Sequence, residues 1–251
     1  MDWSGSYCGD APLLQTLWSH WMFDPVLWTV VAGCVAWVAS RQAVPARKVA
    51  GVLAGVLFAI AFASPLCAAG VALFSARTLH HWWIVAVCAP LFVLGMPQAW
   101  RRAADPLVAA ALFIIVLLAW HVPALYDASL RHVGLYWLMQ LALLGVSVHW
   151  WNVMSGIGAG EGAAIGRRLL GLGATALPMG LLAALLTFST RPWFDSHLLT
   201  SAGFGLSALD DQRLGGMLMW LLGMLPVFVA MAIVSRRQWL QLSGLPLRER
   251  P

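Results

Sequence analysis

The residues in this chain best suited to chemistry are imidazoles and carboxylates placed at the ends of long apolar runs. His80 and His81 open the run that closes at Gly95 and Pro97, and His121 closes the next run. Asp127 and His132 follow in a short connection, and Asp211 with Gln212 opens the last apolar run. Imidazole and carboxylate suit a first-row divalent metal, whereas thioethers such as Met217 and Met219 suit cuprous copper. His81, His121, Asp127, His132 and Asp211 therefore make up the candidate metal set. Within it, His81 and His121 form the central pair, because antiparallel neighbouring helices bring the start of one run and the end of the next to the same depth. His80 is turned about 100° from His81 on a helix and does not share its ion; Met217 and Met219 diverge similarly.

Each of these residues also has a plain structural role open to it. Histidine is at home at a membrane boundary, and His20 and His197 are read that way. An acid at a helix N-terminus satisfies orphan N–H groups and complements the dipole. That role is open to Asp127, and Asp210 or Asp211 can cap the last apolar helix. The pairs Trp82–Trp83 and Trp150–Trp151 read most simply as anchors in the aromatic belt.

The elements that must hold such residues are membrane helices. The chain of 251 residues is 61% hydrophobic and 10% charged, where a soluble domain carries about a quarter charged residues. Fifteen Trp against three Tyr fit a membrane class, since indole rings favour the headgroup boundary. A span takes about 20 apolar residues, and seven candidates lie near 25–40, 48–63, 79–97, 106–122, 134–154, 168–188 and 214–234. The expected fold is all-α: a polytopic integral membrane protein built as a seven-transmembrane-helix bundle. An outer interfacial segment occupies 1–24, the span domain 25–235, and a basic inner tail 236–251.

Charge gives the orientation. Arg41, Arg47, Lys48, Arg101, Arg102, Arg167, Arg168 and the tail arginines share one set of connections; Arg77, Arg131, Arg191 and Arg213 share the other. The positive-inside rule then places the N-terminus outside and the C-terminus inside. With that topology every histidine except His149 sits at the outer face. The net charge of +5 is a topological signal and does not point to nucleic acid.

Other motifs are bland. The first 24 residues hold three Asp and no Lys or Arg, so no cleavable signal peptide is expected. The glycine-rich stretch 156–162 lacks the strand and βαβ context of a dinucleotide fingerprint and reads as a linker on the inner side. Pro178 falls mid-span, where it frees a carbonyl and kinks the helix. No C-x-x-C occurs, and Cys8 with Cys67 can pair only if both face an oxidising compartment. With no G-x-S-x-G, no H-E-x-x-H and no recognisable Ser/His/Asp arrangement, an enzyme is not expected.

Several motifs together resemble the polytopic CtaG family of cytochrome c oxidase assembly factors, which is distinct from the single-span copper chaperone of the same name. They are Ser64-Pro65-Leu66, the block from Phe74 to His81, Ala89-Pro90-Leu91 through Gly95-Met96-Pro97, His121 through Ala128, Trp150-Trp151, and Asp211 through Trp220. The resemblance implies a multi-pass protein of the bacterial inner membrane that supports maturation of a haem–copper oxidase. Its partners would be the lipid bilayer and oxidase subunits, with copper held or delivered at a site facing the periplasm, or a subunit scaffolded while its metal is inserted. The chain departs from the family pattern at Arg77, where a histidine is usual, and at Met139-Gln140, where a Glu-His pair is usual. From the residues alone, two other functions compete: a haem b redox protein ligated by His81 with His121 or His132, and a permease for copper or a small solute. Span centres nearly free of charge argue against an ion-coupled permease path.

Overall fold

The computed structural model describes residues 5–97, 100, 104–156 and 165–243. The linker reading of 157–162, the basic residues Arg101 and Arg102 and the far end of the tail fall outside that range. Among the described residues there are ten α-helices and no strand. In order they are α1 (Pro25–Arg41), α2 (Pro45–Ala63), α3 (Pro65–Ala72), α4 (Phe74–Gly95), α5 (Pro106–Trp120), α6 (Pro123–Arg131), α7 (Val133–Ser155), α8 (Ile165–Thr187), α9 (Ala208–Leu221) and α10 (Met224–Leu242).

Proline sets many of the starts. Pro25, Pro45, Pro65, Pro106 and Pro123 each occupy the first helical position, where φ is already helical and no N–H is missed. Asp24 and Asp105 cap two of these helices by accepting the N–H of Val26 and Leu107 at 2.8 Å each. Inside α4, a π-helical stretch over Trp83–Cys88 directly precedes Pro90. The proline supplies no N–H to the ladder and its ring crowds the preceding turn, so the widening falls where the ladder is weakest. Pro178 lies inside α8, as the sequence implies.

Five elements are long and apolar enough to cross a bilayer: α2, α4, α7, α8 and the tandem α9–α10. The pair α5–α6, bent by 72° just after His121, makes a sixth, and α1 is an apolar helix of 17 residues. The seven apolar runs of the sequence thus resolve into five straight candidates, one broken one and one short one.

Two apolar cores share the bundle. One is formed around α5, α7, α8 and α9, with Phe74 and Val93 of α4. The other joins α2, α3, the middle of α4 and α7 to the N-terminal segment. Helices approach closely where glycine permits: a Cβ on Gly95 would lie 2.4 Å from Gly51 Cα, and one on Gly215 would lie 2.3 Å from the Phe74 ring. Close backbone approach through small residues is how membrane helices gain dispersion contact.

The N-terminal segment is tied down at several points. Cys8 and Cys67 form a disulfide, and the Tyr136 hydroxyl lies 3.2 and 3.4 Å from the two sulfurs. Tyr7 stacks on Tyr136 and donates to Asp24 at 2.8 Å. Burial and the adjacent carboxylate push the Tyr7 hydroxyl up, and the same hydrogen bond, foremost, holds Asp24 below the usual carboxylate range.

The tryptophan pairs tie neighbouring elements together. Trp82 donates to the Leu222 carbonyl, Trp83 to Leu57, Trp151 to Val85, and Trp150 to the Thr175 hydroxyl, all between 2.8 and 3.1 Å. Each indole bridges two elements, and Trp150 and Trp151 are buried. An indole N–H inside a lipid-embedded bundle must find a protein acceptor, and that requirement outweighs the interfacial preference read from the sequence.

Candidate functional site

One face of α4 carries Thr78, His81, Trp82 and Val85, the i, i+3, i+4, i+7 spacing of a helical stripe. That stripe forms one wall of a cavity of about 70 Å³. His121 at the α5–α6 bend, Trp150 on α7, Met179 on α8 and Met219 on α9 complete its polar and polarisable lining. A volume of that size exceeds what one water needs.

The two imidazoles are poised differently. His121 Nδ1 lies 2.7 Å from the Leu117 carbonyl. A carbonyl only accepts, so Nδ1 carries the proton and the neutral ring leaves Nε2 with its lone pair free. His81 Nε2 is buried with no hydrogen-bond partner. Met179 and Met219 also line the cavity; Met219 is buried, whereas Met217 is exposed. Among the described residues no carboxylate lines the cavity. Two neutral imidazoles with two thioethers make a soft donor set of zero formal charge, the kind that suits cuprous copper over a divalent ion.

The structure distributes the remaining expected ligands elsewhere. Asp127 accepts the N–H groups of Asp195 and Ser196 at 3.3 and 3.0 Å, together with the Ser196 hydroxyl. Asp211 accepts the N–H groups of Phe74 and Ser75 at 2.6 and 3.1 Å, together with the Ser75 hydroxyl. It therefore caps α4 from α9. The cap of α9 itself is Ser207, which accepts the Asp210 N–H. His132 is exposed at the start of α7, away from the cavity. Gln212 accepts the Trp193 N–H at 2.6 Å and pins the loop after α8. Among the described residues, no three of His, Cys, Asp and Glu converge as a metal cluster. Of the five expected residues, the cavity brings together His81 and His121.

Met179 was missed by the sequence reading. Its signal is Thr175, Met179 and Leu182 at helical spacing on the buried face of α8, which resembles ordinary core. His197 was read as an interfacial residue. It is buried in the loop after α8, its Nε2 2.7 Å from the Tyr126 hydroxyl, and desolvation pulls its pKa down to about 3.

The capped start of α4, the bend after His121 and helices α7, α8 and α9 together frame the cavity that His81, His121, Met179 and Met219 line. The sequence model of the cytochrome c oxidase caa3 assembly factors matches residues 26–241 and so covers every one of these elements. No curated protein and no solved structure gives a match. The chain belongs to the Caa3_CtaG family of cytochrome c oxidase caa3 assembly factors.

Proposed function

We propose that the chain holds copper(I) in the His81–His121 cavity during maturation of a haem–copper oxidase and releases it to an oxidase subunit. The observation that carries this reading is the donor set: His81 Nε2 without a partner, His121 with Nδ1 fixed to Leu117, and Met179 and Met219 across the same space. Four neutral donors without a carboxylate favour a soft monovalent ion, and no fixed negative charge holds it irreversibly. Transient holding is what a carrier requires. Asp127 and Asp211 act here as the caps that fix the loop and the helix beside the site.

In this reading α1 counts as a span, giving seven, with the N-terminus outside and the basic tail inside the bacterial inner membrane. The disulfide Cys8–Cys67 supports that orientation, since such bonds persist in the periplasm and are rare in the cytoplasm. His81 then lies toward the periplasmic side. A haem b reading needs a macrocycle between two imidazoles, and the cavity of about 70 Å³ has no room for one.

The test is copper(I) loading of the detergent-purified protein, comparing wild type with His81→Ala/His121→Ala and with Met179→Leu/Met219→Leu. Stoichiometric copper lost in the histidine variant and weakened in the methionine variant is expected, without a Soret band. Equal copper in all three proteins would remove the carrier reading and leave scaffolding of an oxidase subunit.

A further inference from the structure

One turn before His81 on α4 lies a second polar group, outside the cavity lining. Arg77 is 1% exposed, and among the described residues no carboxylate lies within ion-pair distance of it. Its Nε and Nη2 have no hydrogen-bond partner. These two atoms share one edge of the guanidinium, the fork that takes a carboxylate in bidentate fashion. His80, one turn on, is equally buried, with neither ring nitrogen bonded. Gln140, one turn beyond Tyr136 on α7, is fully buried, with both amide atoms unpaired.

Each of these residues lies near the Tyr136 ring or near a ring that touches it. The Arg77 guanidinium carbon lies 5.0 Å from the centre of the Tyr136 ring. Phe62 on α2 contacts both the His80 ring and the Tyr136 ring, at centroid distances of 5.0 and 6.2 Å. Arg77 approaches the hydroxyls of both Tyr126 and Tyr136, and Gln140 approaches that of Tyr136.

Among the described residues no carboxylate pairs with Arg77. Asp127 and Asp211 are each committed to two backbone N–H groups and a serine hydroxyl. An arginine keeps its charge under all ordinary conditions, and a buried charge is tolerated when paired. Water could occupy the donors but would leave the charge uncompensated.

We propose that Arg77, His80 and Gln140 form a receptor for one small monovalent anion, of halide or formate size, enclosed between α2, α4 and α7. The guanidinium edge supplies two donors, and the Gln140 amide and a His80 N–H supply the others.

The experiment uses the copper-free, detergent-purified full chain, so its result is independent of copper binding. Thermal midpoints are compared in sodium bromide, sodium formate and sodium gluconate at equal ionic strength, gluconate being too bulky for the site. Wild type is expected to gain about 3 °C in bromide or formate over gluconate, Arg77→Lys to keep part of that gain, and Arg77→Met to show none. The larger gain identifies the ligand class as halide or carboxylate. Crystals grown in bromide are expected to show an anomalous peak against the Nε–Nη2 edge, a readout that stands even if Arg77→Met does not fold. Equal midpoints in all three salts together with no bromide peak would overturn the proposal and assign the pocket to water.

Discussion

Asp211 on α9 closes the first turn of α4 through Ser75: it receives the Ser75 N–H at 3.1 Å and the Ser75 hydroxyl, and beside them the Phe74 N–H at 2.6 Å. The two residues are 136 positions apart, so the cap is also a tertiary clamp. A local cap would fix only the helix start, but this one fixes α4 relative to α9. Those helices carry His81 and Met219 on the walls of one cavity.

Asp211→Ala therefore leaves orphan donors at a buried helix start and is expected to cost about 2–4 kcal/mol. It should also weaken copper(I) binding, although Asp211 does not line the cavity. Asp211→Asn, which keeps one acceptor oxygen without charge, should recover part of both losses. Thermal unfolding and a copper(I) competition titration on the same preparations check this; unchanged copper affinity in a destabilised Asp211→Ala protein would separate the clamp from the site.

The sequence made the helices and the central pair legible, for physical reasons that the structure exposes. Runs of apolar residues and helix-opening prolines are local signals, and His81 with His121 follows from antiparallel packing of adjacent runs. The destinations of Asp127 and Asp211 were not legible as ligand or cap. A carboxylate's bonding is settled by donors far along the chain, here Ser196 and Ser75. Trp82, Trp83, Trp150 and Trp151 misled because the belt rule averages over residues with free choice of depth. Met179 was hidden because a methionine on a buried stripe looks like core whether or not a partner donor faces it.

The Cys8–Cys67 bond closes a loop with a sequence separation of 59 residues. Loss of the bond in Cys8→Ser/Cys67→Ser is expected to cost about 2–5 kcal/mol and to release the N-terminal segment from Tyr136. Limited proteolysis should then cut before Asp24, where wild type resists. Two further thiols that react with a maleimide in unreduced, denatured wild type would show that the bond is not formed.

Gly95 and Gly134 offer an internal comparison. A methyl on Gly95 meets the Gly51 backbone at 2.4 Å, whereas one on Gly134 meets nothing within 4 Å. Gly95→Ala should push α2 from α4 and cost about 1–3 kcal/mol; Gly134→Ala should be neutral or slightly stabilising, since alanine favours the helix. Denaturation midpoints in detergent measure both. Equal midpoints for the two variants would mean that the α2–α4 contact is not a stabilising interface.

His197 gives the fold an acid-sensitive point. Burial lowers its pKa from the usual value of 6.5 to about 3, so between those values the unfolded chain takes up a proton that the folded chain refuses. Stability then rises with pH across this window: the contribution is fully present above about pH 6.5 and is lost as pH falls toward 3. The loss is expected to be on the order of a few kcal/mol, superimposed on the ordinary titration of carboxylates such as Asp24. His197→Gln keeps a side chain able to bond the Tyr126 hydroxyl but removes the titration. The variant should be less stable than wild type at neutral pH, and the difference between the two should shrink as pH falls from 6.5 to 4. A constant difference across that range would place His197 in contact with solvent, with its charge accommodated by the loop after α8.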